Sequence, residues 1–314
     1  MIQLIVRRLL LAVPLLLIVS TLTFALTAVA PGDPAATILG SSATPESIAA
    51  LNAKLGLNDP IVVQYWHWLE HAVTGDLGTS AVTSQSVGQA IGTRLPTTLS
   101  LVLLGTLVAA VVGIGLGMVS ALGGRGLGRV TDILAVVGYV IPNFWLGLML
   151  VYFLSVKLAW FPATGYVGLS DSPWGWLRSL VLPVTALAVM GATAVAKQTR
   201  DAMREVMSRE FITALRADGF SERQIVFRHA LRNAAIPIVT VTGVLFIGMF
   251  GGTVLVESVF VLPGLGGLAV SSAQTGDLTM LQGVAVVFCL AVVAVNLVVD
   301  LAYGWLNPKV RVQS

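Results

Sequence analysis

Six long stretches of this chain carry no charged residue: residues 9–32, 95–124, 133–156, 179–196, 233–256 and 278–299. A helix of about 20 apolar residues crosses a hydrocarbon core roughly 30 Å thick. In that medium a chain can satisfy its backbone only as a helix or a closed barrel. Of the 314 residues, 56% are hydrophobic and 11% charged, with a mean hydropathy of +0.90. That balance excludes an ordinary soluble enzyme and a disordered chain. Cys289 is the only cysteine, so no disulfide can form within the chain. The expected fold is an all-α membrane protein with six transmembrane helices. The first run follows Arg7 and Arg8 like a secretory signal but is longer than a signal core, and is expected to remain as a span. A seventh uncharged run, 258–276, holds Pro263 and four glycines and reads as a loop dipping toward the membrane.

With six crossings, both termini share a side, and 14 of the 18 basic residues fall on that side. The positive-inside rule makes it the cytoplasm. The net charge of +3 is spread over these loops and points to no nucleic-acid partner. The expected organisation is an N-terminal transmembrane helix over 1–31, an external segment over 32–94, a five-helix core over 95–308 and a cytoplasmic tail over 309–314. Within the core, residues 197–232 form a cytoplasmic region with 13 of the 33 charges.

That region has its own internal logic. Met203, Val206, Met207, Phe211, Ala214 and Leu215 recur at three and four, which predicts one helix from about Arg200 to Asp218. Gly219 suits the left-handed position beyond a helix end. Ser221 with Gln224 fits a capping box, and Phe220 with Ile225 a hydrophobic staple, opening a second helix. Arg228 and Arg232 would close that helix on the favourable side of its dipole. The expectation is a rigid elbow held by local chemistry rather than by deep burial.

The order Glu210, Ala214, Asp218, Gly219 and Leu231 resembles the coupling motif of ABC-importer permeases, E-A-A, three residues, G, nine residues, I-x-L-P. Strict matches are Ala214, Gly219 and Leu231. The variant His229-Ala-Leu-Arg-Asn233 followed by Pro237 is similar to the peptide and nickel subgroup. Further elements follow in order: Pro31-Gly-Asp-Pro34, Leu55-Gly-Leu-Asn-Asp-Pro60 before Gln64-Tyr65, Gly75-Asp-Leu-Gly78, Arg94-Leu-Pro96, Glu257-Ser-Val-Phe260 and Pro263-Gly-Leu-Gly266. Together they resemble the B-type permease subunit of the oligopeptide/dipeptide ABC importer family.

The resemblance implies a transport subunit without a catalytic site or cofactor of its own, in a bacterial cytoplasmic membrane. Its implied partners are membrane lipid, a second homologous permease, one or two ATPase subunits using ATP and Mg, and an external substrate-binding protein. Glu210, Ala214, Ala217, Asp218, Gly219 and Ser221 would form the ATPase-coupling surface. Asn143 and Asn296, polar at membrane depth, would line the path or bond a neighbouring helix, and Glu257 would stand at an outer gate. Gly105, Gly113, Gly115 and Gly117 would let helices approach closely, as in a permease dimer core. Cargo stays open among peptides, nickel chelates, glutathione and haem.

Two other readings stay open. An ion-coupled secondary transporter is also a bundle without a nucleotide motif, but such carriers usually hold ionisable groups at mid-bilayer, and the middle of each span here lacks them. An external zinc metallopeptidase is suggested by His67, Glu70 and His71, spaced H-x-x-E-H. It lacks an evident third ligand. No lysine is followed by Ser or Thr, so there is no P-loop, and Gly264, Gly266 and Gly267 read as a flexible turn, with an external gate or receptor contact as the alternative.

Overall fold

The structure, a computed structural model, describes residues 2–29, 34–40, 43–54, 56, 58–123 and 125–306. Residues 31–33, Leu55, Leu57 and the tail 309–314, which the sequence reading uses, lie outside the described residues. The elements are α1 (Ile2–Val29), α2 (Pro34–Leu39), α3 (Pro45–Lys54), α4 (Ile61–Val73), α5 (Val87–Leu122), α6 (Arg125–Val140), α7 (Asn143–Leu150), a π-helical turn (Val151–Lys157), α8 (Pro173–Met207), α9 (Glu210–Ala217), α10 (Glu222–Gln224), a second π-helical turn (Ile225–Ala230), α11 (Leu231–Phe260), α12 (Leu265–Thr275) and α13 (Leu278–Leu306). Among the described residues there is no β-strand, only an isolated bridge between Thr79 and Ser86.

Five helices are long and apolar enough to cross a membrane, and a bent pair makes a sixth if it counts as one crossing. The bent pair is the expected third span, which is not straight. Its halves, Gly128–Gly138 and Asn143–Lys157, meet at 95°. The break falls at Pro142, which has no amide hydrogen to give and is extended, with ψ 136°. Outside the spans the expected loops are largely helical. The segment 32–94, expected to be external, contains α2, α3 and α4, and α5 starts at Val87, taking Arg94 and Pro96 into its body. The expected loop at 258–276 contains α12, entered through Pro263 and Gly264 and closed by left-handed Gly276 (φ 70°). Gly266 and Gly267 lie in its first turn rather than in a flexible one.

The chain packs as two compact units. Of the described residues, one contains 99–123 and 125–262 with 2–5 and 294–306. α8 is its axis, buried from Ser179 through Val206 along the side that meets α6, α7 and α11. Two glycines bring α5 onto this axis. A Cβ on Gly113 would stand 2.6 Å from Val195 Cβ and 2.7 Å from the Ala192 carbonyl, and one on Gly117 2.5 Å from Thr199 Cβ and 2.6 Å from the Ala196 carbonyl. No side chain fits at either position. Gly113 and Gly117 therefore serve packing within this chain, while Gly115 faces open space. Arg200 of α8 pairs with Asp132 of α6, and Arg204 Nη2 donates to the Ser120 carbonyl at 3.3 Å, fixing the charged ends of these helices.

The second unit contains Val6–Thr98 and Pro263–Val293. Its core joins Val87, Ala90 and Ile91 of α5 to Leu265 and Leu268 of α12 and to Met280 and Val284 of α13. The first amide of α12, Leu265 N, donates to buried Thr98 Oγ1 at 2.8 Å. Gln282 Nε2 of α13 donates to the Ser20 carbonyl of α1 at 2.8 Å.

Candidate functional site

The elbow at residues 208–232 differs from its sequence reading in three respects. First, the helix predicted from Arg200 to Asp218 is broken. α8 stops at Met207, Ser208 Oγ donates back to the Glu205 carbonyl at 2.8 Å, and Arg209 is extended (ψ 147°) before α9 begins. The stripe changes phase across this break. Ile212 is fully buried and Leu215 half-buried, whereas Phe211 and Ala214 are exposed. Second, the elbow is anchored by burial. Ile212 of α9 and Ile225 and Val226 beyond the corner share one core with Met203 and Val206 of α8 and Ala234 and Ile238 of α11. Burying a side chain such as Ile212 contributes about 1.5–3 kcal/mol. Third, the second arm does not end near Arg232. It runs from Glu222 to Phe260 as one continuous 39-residue rod, so Arg228 and Arg232 are not at a helix end.

The corner itself follows the expected chemistry. Phe220 N donates to the Leu215 carbonyl and Gly219 N to the Arg216 carbonyl, both at 3.1 Å, the paired bonds of a Schellman ending. Gly219 holds the left-handed position at φ 81°. The capping box is present. Ser221 Oγ accepts from Gln224 N at 3.4 Å, and Gln224 Oε1 accepts from Ser221 N at 3.2 Å. Across the corner, Arg216 Nε donates to Glu222 Oε1 at 2.6 Å. This hydrogen bond holds the Glu222 carboxyl below the usual carboxylate range and the Arg216 guanidinium above its ordinary value. The Phe220 ring meets the His229 imidazole edge-on at 5.6 Å.

Glu210, Ala214, Ala217, Asp218, Gly219 and Ser221 are all exposed. Glu210, Ala214 and Ala217, at i, i+4 and i+7, share one side of α9, and Ser221 stands beyond the Gly219 corner as the cap of α10. Small side chains line the centre of this surface, carboxylates flank it, and Phe211 stands beside it. The surface is a shallow, acidic-edged ridge on a stiff support. Its polar side chains are Glu210, Asp218 and Ser221.

The other singled-out residues are dispersed. Asn143 opens α7 and is half-buried, its Nδ2 3.6 Å from where a Cβ on Gly252 of α11 would lie. Glu257, also on α11, is 1% exposed. Asn296 is half-buried on α13. His71 Nδ1 lies 2.8 Å from the His67 carbonyl, a bond within α4, and among the described residues no cluster of three His, Cys, Asp or Glu could hold a metal ion.

Sequence reasoning missed Asp277. It is 4% exposed, accepts from Ser80 Oγ at 2.5 Å and caps α13 through Met280 N at 3.2 Å. Ser80 Oγ also accepts from Thr83 N at 2.8 Å, so the loop after α4 is tied to the start of α13. The Gly276-Asp277 pair, a helix stop followed by a cap residue, was the available signal.

Known proteins place this arrangement. Residues 113–312 match the family described as binding-protein-dependent transport system inner membrane component, and residues 1–102 its N-terminal counterpart. A putative peptide transport system permease of Brucella abortus is 43% identical over 99% of both chains. The glutathione transport system permease GsiC of Salmonella choleraesuis is 38% identical over 99% of both, and the oligopeptide transport system permease AppB of Bacillus subtilis 36% over 98% of both. An inward-facing structure of the MetNI methionine ABC transporter shares the fold, at a TM-score of 0.56 and 19% identity, over 70% of this chain and 97% of that one. The chain thus belongs to the family of binding-protein-dependent transport system inner membrane components and is a permease subunit of an ABC importer.

Proposed function

We propose that this permease imports di- or oligopeptides or similar small solutes, and that its elbow is the surface on which a separate ATPase docks. The observation that carries the reading is the exposed ridge Glu210, Ala214, Ala217, Asp218, Gly219 and Ser221, set on a corner whose inner face is buried in the same core as two membrane-crossing rods. Closure of ATP- and Mg-loaded partners would press on this ridge, and α8 and the Glu222–Phe260 rod would carry the displacement to the spans as rigid bodies. The elbow then faces the cytoplasm, as do both termini. A second homologous permease completes the pathway, to which Asn143 and Asn296 contribute polar groups. An external binding protein delivers the cargo. The peptide and glutathione systems to which the chain is similar support that substrate class.

The test uses the intact transporter purified in mild detergent. Cys289 is buried and is replaced by Ser. Cysteines at Ala214 and Ala217 should then cross-link to a co-purifying ATPase, and the cross-links should stop ATP-driven uptake. Purification with no ATPase, or uptake that proceeds with both positions linked to nothing, would overturn the assignment.

A further inference from the structure

The end of α8 opposite the elbow carries a cleft that the transport reading does not use. Arg178 stands one residue ahead of the uncharged stretch 179–196, and Lys197 immediately follows it, so the two cations bracket the apolar part of the helix. This puts Arg178 at the level of the membrane interface. Around it, the segment between the first π-helical turn and α8 folds back on itself. Ser155, Phe161, Thr164, Tyr166, Arg178 and Ser179 are among the residues enclosing a cleft of about 510 Å3. The fold-back is fixed by Gly165, at φ 94°, whose amide donates to the Phe260 carbonyl at 3.0 Å.

The polar equipment of the cleft is small and specific. Arg178 Nη2 donates to the Trp160 carbonyl at 2.9 Å, and among the described residues no carboxylate pairs with this arginine. A guanidinium has five donors in a fixed fork, so donors remain for a ligand. Ser155 Oγ is buried and has no hydrogen-bond partner, a group whose desolvation is costly unless something bonds it. The residues next in sequence to the lining ones are apolar and exposed: Trp160, at 60%, and Leu158 flank Ala159, Trp174, at 72%, precedes Gly175, and Val156 and Leu177 adjoin Ser155 and Arg178. Tryptophans at this depth are typical of the interfacial belt.

One cation, one unsatisfied hydroxyl and exposed apolar neighbours at the membrane interface call for an anion with an attached hydrocarbon. We propose that this cleft binds the headgroup phosphate of an anionic membrane lipid. Arg178 takes the phosphate through the free part of its fork, as arginine does better than lysine. Ser155 donates its hydroxyl to the same group, and the acyl chains lie over Val156, Leu158 and Leu177. Assignment to the outer leaflet rests on the cytoplasmic elbow proposed above; lipid binding itself does not.

The experiment is native mass spectrometry of the intact purified transporter from mixed micelles of phosphatidylcholine and phosphatidylglycerol. The wild type should retain one phosphatidylglycerol that Arg178→Gln loses by about tenfold in occupancy, with Arg178→Lys in between. Thr164→Phe, which fills the cleft and leaves Arg178 in place, should lose it as well, so the result does not depend on one variant folding. Equal retention by wild type and both cleft variants, or equal retention of phosphatidylcholine, would overturn the proposal. So would an adduct of inorganic phosphate in place of lipid when phosphate alone is added, or a photo-reactive residue at Trp174 that captures a partner protein and no lipid. Uptake and ATPase docking by the elbow are read separately, so failure here leaves that assignment standing.

Discussion

Arg216 and Glu222 join across the glycine corner through two contacts, Nε to Oε1 at 2.6 Å and Nη2 to Oε2 at 3.3 Å, one residue from each arm. The hydrogen bond depresses the carboxyl pKa, so any stabilisation is present above the unfolded value, about 4.3, and is lost as pH falls through the lower folded value. A spin label on Thr213→Cys should show constant mobility from about pH 8 to about pH 5 and loosen only in stronger acid. Loosening near neutral pH would assign the restraint to another group.

Gly219 offers a cleaner measure of backbone cost, because a Cβ there would meet nothing within 4 Å. Only the left-handed conformation is penalised, by about 1–2 kcal/mol for an ordinary L-residue. Asn tolerates that region better than Ala, and a β-branched residue worst. Thermal midpoints and ATP-driven uptake should therefore fall in the order Gly219→Asn, Gly219→Ala, Gly219→Val. Equal behaviour of the Asn and Val variants would show that the corner relaxes out of φ 81°.

Neighbouring residues on α9 should separate stability from docking. Ile212→Ala should destabilise the chain by about 2–5 kcal/mol, since Ile212 is fully buried. Phe211→Ala, at an exposed site, should stay within about 0.5 kcal/mol of wild type while weakening capture of the ATPase. Denaturation in detergent and pull-down yields measure the two effects, and the opposite pattern would mean that α9 is rotated.

The α5 glycines predict a sharp positional contrast. Gly113→Ala and Gly117→Ala drive a methyl into backbone carbonyls of α8 at 2.7 and 2.6 Å and should each cost about 1–3 kcal/mol. Gly115→Ala meets open space and should be neutral in the same thermal assay.

Removing Asp277 should release the loop after α4. Asp277→Ala leaves the Ser80 hydroxyl and the Met280 amide without their acceptor, at about 1–3 kcal/mol for each buried group. Limited proteolysis should then cut at residues 81–86 in the variant and spare the wild type. Asp277→Asn, which keeps a capping oxygen, should fall between.

What the sequence made legible follows from the reach of each signal. Charge-free runs mark spans because lipid penalises any charge within them, and these runs all found helices. The Gly219 corner and the Ser221 box were readable because both are complete within a few residues. The break at Ser208 was not, since neither Gly nor Pro marks it and the chain turns there to send Ile212 into a core assembled from α8 and α11. Arg200 and Asp132, or Ser80 and Asp277, are far apart in sequence, and nothing local identifies such partners. The proline bend was written at Pro142, but an uninterrupted apolar run concealed it.

The π-helical turn at Ile225–Ala230 has a consequence for anyone aligning this chain by periodicity. One extra residue accommodated in a helix rotates everything after it by about 100° relative to an undisturbed spiral. Numbering forward from the capped corner in steps of 3.6 therefore assigns the wrong azimuth to every side chain of α11, and a scanning mutagenesis planned that way would probe a face about 100° away from the one intended. The register must be restarted at Leu231.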